Sequence, residues 1–313
     1  MEKLAVIGSG TMGHSITLSA AWFGIEVKMY GTDNNDIKTG LSNIKIKLER
    51  LNKKGLLAAE QISGILNRIS VTSSLAEAIK DRSFIIEAIP EEEELKKALF
   101  KQLSGYCGRD IILASNTSGL SPSLFVSTVT SPERFIVTHF WNPAHLMPLV
   151  EVVPVKETSN TTIQRTLNFL KQMDKKAIVL KKEIPGFVAN RLQFALFREA
   201  QHLLEEGIAS REDIDAAVTY SFGRRLSVTG PLASADMGGL DIFSSISDYL
   251  FMNLSSAKTS SSLLKSFVEK GDYGSKSGRG FYEWTSEFLD LMNEERENEL
   301  IRHLEFDRKK HQK

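Results

Sequence analysis

Apolar positions along the first half of the chain switch between two spacings, and the switches predict alternating strands and helices. Leu4-Ala5-Val6-Ile7 is a short unbroken apolar run, the pattern of a strand covered on both faces, and the Ala-rich stretch through Leu18, Ala20, Ala21 and Trp22 reads as the helix after it. Residues 24–30 alternate as a second strand that ends at Gly31-Thr32-Asp33-Asn34. Leu41, Ile44, Leu48 and Leu51 then recur at helical spacing, so residues 37–66 are expected to form two helices joined at Lys53-Lys54-Gly55, a hairpin projecting beside the sheet. Ser74-Leu75-Ala76-Glu77 is a capping box, and Phe84-Ile85-Ile86-Glu87-Ala88-Ile89 is a strand stopped by Pro90. A helix follows Glu94, Ile111-Ile112-Leu113-Ala114 gives another strand, and Ser121-Pro122 opens a further helix. Phe135-Ile136-Val137-Thr138 and Val150-Glu151-Val152-Val153 are the last strands expected before a helix over residues 161–173. The alternation predicts an α/β domain with a doubly wound, mostly parallel sheet.

The pattern changes at Ile184-Pro185-Gly186. Residues 187–206 read as one long helix with Leu192, Ala195, Leu196, Leu203 and Leu204 apolar and Gly207 at its stop, and Ser210-Arg211-Glu212-Asp213 caps the next. No strand is expected again before Gly280-Phe281-Tyr282-Glu283-Trp284, and residues 286–313 form a charged terminal helix with a frayed end. The predicted division is therefore a sheet domain over 1–184 and an all-α domain over 185–313 that includes the tail.

Composition narrows the class without naming it. A chain of 313 residues with 42% hydrophobic content can bury a large core, and 39 basic residues balance 39 acidic ones, so no global field favours nucleic acid. The single cysteine, Cys107, excludes an intrachain disulfide framework and a thiolate metal site, and suits a reducing compartment; it reads as a buried structural residue. No apolar run reaches the ~20 residues a membrane span needs. The first strand begins after Met1-Glu2-Lys3, which predicts no signal peptide and a cytoplasmic location.

The chemistry starts between the first strand and helix, where Gly8-Ser9-Gly10-Thr11-Met12-Gly13 forms a G-x-G-x-x-G turn. Gly8 permits the tight turn, Gly10 lets backbone approach a pyrophosphate, and Gly13 lets helix pack on strand, while the N–H groups at the helix start face the phosphate charge. A ribose-binding acid is expected directly after the second strand, but Gly31 stands there; Asp33, two residues on, is the candidate, which favours NAD over NADP. Lys45, Lys47, Arg50, Lys53 and Lys54 make a basic face on the hairpin that serves either a phosphorylated substrate handle or solvation alone. Carboxyl ends of parallel strands are where such sheets hold ligands, and Ser118 and His139 fall there. Glu151 is a charge inside an apolar strand and needs a partner; His139 would satisfy it and gain a base-orienting carboxylate.

Together with that turn, Glu87-Ala88-Ile89-Pro90-Glu91, Ala114-Ser115-Asn116-Thr117-Ser118, His139-Phe140-Trp141-Asn142-Pro143, Leu149-Val150-Glu151, Pro185-Gly186-Phe187-Val188-Ala189-Asn190-Arg191 and Gly278-Arg279-Gly280-Phe281-Tyr282 occur in one order across nearly the whole chain. This set resembles the 3-hydroxyacyl-CoA dehydrogenase family. The resemblance implies a Rossmann-type NAD domain, a helical second domain that pairs two copies into a homodimer, and reversible oxidation of an L-3-hydroxyacyl thioester of short chain. It implies that His139 is the catalytic base, Glu151 its partner, and Ser118 and Asn190 the residues that position substrate oxygens. It further implies that Glu91, Lys96, Asn142 and Lys276 contact the dinucleotide. Pro148 stands where the acyl-CoA enzymes carry lysine, and Gly223-Arg224-Arg225-Leu226 also departs from them. Both departures are similar to the branch that acts on free substrates, such as L-carnitine dehydrogenase and L-gulonate 3-dehydrogenase of the lambda-crystallin type. Arg224 and Arg225 suit a carboxylate, a CoA phosphate or a plain surface equally.

Overall fold

The computed structural model describes residues 2–311. Its first compact unit comprises residues up to Asn190 together with those from Arg296 onward; the second covers Arg191–Glu295. The first unit runs β1 (Leu4–Ile7), α1 (Thr11–Trp22), β2 (Val27–Tyr30), α2 (Asn34–Lys53), α3 (Ala59–Leu66), β3 (Ile69–Thr72), α4 (Leu75–Ile79), β4 (Phe84–Glu87), α5 (Glu93–Tyr106), β5 (Ile112–Ser115), α6 (Ser123–Val126), β6 (Phe135–Phe140), β7 (Leu149–Pro154), α7 (Asn160–Gln172) and β8 (Lys176–Val179). Eight strands form one sheet in the order β3-β2-β1-β4-β5-β6-β7-β8. Neighbours are parallel except β6 and β7, which run antiparallel and place His139 directly opposite Glu151. The doubly wound arrangement matches the expected class, with strand order reversing from β1 toward β2 on one side and β4 on the other.

The unbroken apolar runs lie where both faces are covered: β1, β4 and β5 are buried along their full length. One core holds Leu4, Val6 and Phe84 of the sheet with Leu18 of α1 and Ile44, Leu48 and Leu51 of α2. The opposite face packs Ala5, Ile85 and Leu113 against Phe100 and Leu103 of α5. The expected projecting hairpin is therefore corrected. Ile44, Leu48 and Leu51 of the α2 stripe are fully buried and Leu41 is partly covered, and α2 packs on α1, so the hairpin lies against the domain.

Two strands that the pattern did not announce, β3 and β8, are the sheet's two edges. Both are only partly covered, so they need few apolar residues and carry Ser70 and Lys176 instead.

The chain continues through α8 (Ala189–Glu205), α9 (Arg211–Thr219), α10 (Gly223–Leu226), α11 (Pro231–Gly238), α12 (Leu240–Leu250), α13 (Ser262–Glu269) and α14 (Ser286–His311). Residues 280–284 form no strand; two isolated bridges, Gly274 to Arg279 and Arg279 to Glu283, close a loop there. The tail differs from its assignment to the helical domain. Ile301 and Leu304 of α14 join the core of the first unit, and Glu297 meets Arg50 at 3.3 Å. The division after Asn190 differs from the expected 184 because the turn at Phe187, a fully buried side chain, belongs to the sheet core. The expected fraying at Gln312 and Lys313 lies outside the described residues. No helix among the described residues is long and apolar enough to cross a membrane.

Candidate active site and dinucleotide turn

At the end of β1 the three glycines serve different steric ends. Gly8 has φ +122°, and a Cβ there would stand 2.5 Å from the Ala88 carbonyl oxygen. A Cβ on Gly13 would lie 1.9 Å from the Gly8 oxygen, so α1 can pack this close only with glycine. Gly10, by contrast, has nothing within 4 Å of its Cβ position. It is the N-cap of α1 without a side-chain cap, and no acidic residue occupies the first turn. The open space, the uncapped N–H groups and the positive helix end fit a pyrophosphate, with Thr11 and Met12 supplying first-turn N–H groups.

Asp33 caps α2, accepting from the backbone N–H of Asn35 at 2.8 Å and Asp36 at 2.9 Å through one oxygen. Its other oxygen takes no part in that cap, and the residue is exposed.

His139 is 4% exposed and its Nδ1 lies 2.8 Å from Glu151 Oε2. Antiparallel pairing sets the two side chains on one face, so the contact follows from register. The other oxygen, Glu151 Oε1, accepts from the N–H of Val188 at 2.9 Å and Ala189 at 3.0 Å, the start of α8. Phe187 reaches this turn at φ 49°, a left-handed conformation that is unusual for a bulky residue and aims both N–H groups at the carboxylate. Burial alone would push the Glu151 carboxyl up, but the bonds from His139, Ala189 and Val188 outweigh it and hold the group below its usual range. Trp141 and Phe187 rings flank the imidazole at 5.5 Å each. Among the described residues Nε2 of His139 has no partner. A ring fixed through Nδ1 with Nε2 free is able to take a proton.

Asn190 Nδ2 donates to the Ser118 carbonyl at 2.9 Å, so the residue beside Ala189 is tied to the loop after β5. That loop is held in turn by Glu91, whose Oε1 accepts from Thr117 Oγ1 at 2.5 Å and from the N–H of Ser118 at 2.8 Å and Gly119 at 3.2 Å. Burial raises the Glu91 carboxyl, yet these bonds and Lys96 bring it below its ordinary value. Lys96 is 1% exposed, 2.5 Å from Glu87 Oε1 and 3.2 Å from Glu91 Oε2. Glu87, fully buried, also accepts from Ser115 Oγ at 2.6 Å and the Ile89 N–H at 2.9 Å. His139 and Glu151 form one bonded set and Asn190, Ser118, Glu91 and Lys96 another, and the chain step from Ala189 to Asn190 joins them. The Lys96 ammonium lies between two carboxylates and braces the loop. Glu87 was overlooked, although it is a charge at the end of an apolar strand, the same signal that marked Glu151.

Asn142 is exposed, after His139 and before Pro143, and Lys276 is exposed in the second unit. On the hairpin, Arg50 is paired with Glu297 and burial lowers Lys47, so the basic face is partly drawn toward the tail. Arg224 stacks 4.8 Å over the Tyr220 ring.

Two family profiles match the chain from residue 3 to residue 284. One, described as 3-hydroxyacyl-CoA dehydrogenase, NAD binding domain, matches residues 3–184, and its C-terminal domain matches 186–284. A probable 3-hydroxybutyryl-CoA dehydrogenase of Bacillus subtilis is 36% identical over 91% of this chain and 98% of its own. A 5-formyl-3-hydroxy-2-methylpyridine 4-carboxylate 5-dehydrogenase of Mesorhizobium japonicum is 30% identical over 96% of both chains. A solved structure of such a 5-dehydrogenase, described as an NAD+ dependent dismutase, superposes with a TM-score of 0.91 at 30% identity, over 97% of this chain and 99% of that one. With both profiles matched in order on a fold of the same kind, the chain belongs to the 3-hydroxyacyl-CoA dehydrogenase family and is an NAD-dependent oxidoreductase of that type.

Proposed function

We propose that this chain oxidises a hydroxyl-bearing carbon reversibly, with His139 as the base and Glu151 as the carboxylate that orients it. The observation that carries the reading is the buried 2.8 Å pair with Nε2 left unpartnered. NAD, when bound, supplies the acceptor for the hydride. His139 Nε2 takes the hydroxyl proton while Glu151 holds Nδ1–H and stabilises the imidazolium. The α8 N–H groups keep Glu151 ionised, so the proton stays on the ring. General base action of this kind contributes about 10² to 10⁴ in rate. Ser118 and Asn190 position the substrate's oxygens. Gly10, Thr11 and Met12 would hold the pyrophosphate in the turn that Gly8 and Gly13 shape, Glu91, Lys96, Asn142 and Lys276 would serve as dinucleotide contacts, and Glu91 with Lys96 also shapes the Ser118 loop.

For the substrate, the first reading is a short-chain L-3-hydroxyacyl thioester, supported by the hydroxybutyryl-CoA relative that matches along almost its full length. A second reading, a free 3-hydroxy acid or a carnitine- or gulonate-like alcohol, is favoured by Pro148 and by the Arg50–Glu297 contact that draws charge from the hairpin. The near full-length match to a pyridine carboxylate dehydrogenase supports it too. Following NADH absorbance with 3-hydroxybutyryl-CoA, carnitine and gulonate in parallel separates them; silence with the thioester and turnover of a free acid removes the first reading. We also infer a homodimer formed through the second unit. Leu240, Ile242, Phe243 and Ile246 of α12 are 39–61% exposed in the single chain, and a monomer in sedimentation would overturn this.

A further inference from the structure

The strand end where the ribose acid of such a sheet is expected holds Gly31, which has no side chain to offer. The space over it is taken. A Cβ built on Gly31 would stand 2.7 Å from Ile37 Cγ1, 3.1 Å from Ser9 Oγ and 3.2 Å from Asp36 Oδ2. The carboxylate of Asp36, one turn into α2, therefore reaches back to the place that a side chain at residue 31 would fill, beside Ser9 of the glycine turn. It is fixed there: Oδ2 accepts from the Thr32 N–H at 3.0 Å and Thr32 Oγ1 at 3.3 Å. Oδ1 has no partner among the described residues, and the residue is half-buried. Burial would raise its carboxyl, but the Ser9 and Thr32 groups outweigh that and keep it ionised.

We propose that Asp36 recognises the adenosine ribose of NAD in this chain and excludes a 2′-phosphate. Asp33 and Asp36 each have one oxygen committed, to the α2 N-cap and to Thr32, but only Asp36 stands at the Gly31 Cβ position beside Ser9 of the turn. The acid has moved from the strand end to the helix, and Gly31 leaves it the room. This rests on the assignment of the glycine turn to NAD. A carboxylate in hydrogen-bond reach of ribose hydroxyls is worth a charge-assisted bond, which corresponds to about 10-fold or more in affinity. A 2′-phosphate at the same place meets a like charge.

The test is direct binding of NADH and NADPH, read by dinucleotide fluorescence without substrate, to the parent protein, Asp36→Asn and Asp33→Asn. Thermal melts show that each variant is folded; asparagine keeps a good N-cap at 33. The parent is expected to prefer NADH. Asp36→Asn should weaken NADH about 10-fold and NADPH far less, collapsing the ratio, while Asp33→Asn keeps it. An unchanged ratio in Asp36→Asn, a collapse in Asp33→Asn instead, or equal affinities in the parent would each overturn the proposal. A parent that binds neither dinucleotide would overturn the NAD assignment itself, which is a different outcome.

Discussion

Replacing His145 with glutamine should remove a specific acid sensitivity from the first unit. His145 is 3% exposed, its Nδ1 lies 3.0 Å from Ser15 Oγ, and its Nε2 has no partner among the described residues. Burial, aided by the nearby charges of Lys47 and Lys175 and by His14, pushes its pKa down to about 3 from 6.5. The folded protein thus keeps the ring neutral where the unfolded chain protonates it. The unfolded state binds more protons below pH 6.5, so stability is intact above 6.5 and is lost as pH falls toward 3. At pH 5 the native ring is still neutral and the cost is about 2 kcal/mol, from 1.36 kcal/mol for each of the pH units between 6.5 and 5. Urea unfolding followed by tryptophan fluorescence at pH 7.5 and 5 would measure it. His145→Gln starts less stable because it loses ring packing, but the gap from the parent should narrow by about 2 kcal/mol at the lower pH. His14 is common to both proteins and cancels to first order. A gap that is the same at both pH values would refute the assignment of a neutral, sealed imidazole.

Lys96→Met should cost about 3 kcal/mol or more, read as a drop in the urea midpoint, because it leaves Glu87 buried without its counter-charge. A near-parental midpoint would contradict that. The glycines of the turn should separate: Gly10→Ala folds with an unchanged melting temperature but loses NADH affinity about 10-fold, since its Cβ enters open space that the pyrophosphate needs. Gly13→Ala should instead melt markedly lower, because its Cβ would meet the Gly8 oxygen.

What could be read in the residues was whatever burial and periodicity force. The unbroken runs of β1, β4 and β5 stand in the middle of the sheet, where two covered faces demand apolar residues at every position. The edge strands β3 and β8 are partly exposed and so carry no such demand, which is why Ile69-Ser70-Val71-Thr72 and Lys176-Ala177-Ile178-Val179 were passed over. Glu151 was legible because a charge in an apolar strand needs a partner, and the antiparallel register supplied His139. The acid that stands beside Gly31 was not: Asp33 is nearer in sequence, but side-chain reach across a helical turn brings Asp36 to Gly31. The hairpin misled for a related reason. Its lysines mark the outer side of α2, while the stripe Ile44, Leu48 and Leu51 decides where it packs.

The central claim is that His139, fixed by Glu151, moves the substrate proton. Steady-state kinetics of His139→Gln on whichever hydroxy substrate proves active, paired with NADH titration, tests it most directly. The account predicts that kcat falls by two decades or more while the NADH dissociation constant stays within about 2-fold. A variant that turns over at close to the parental rate would contradict it.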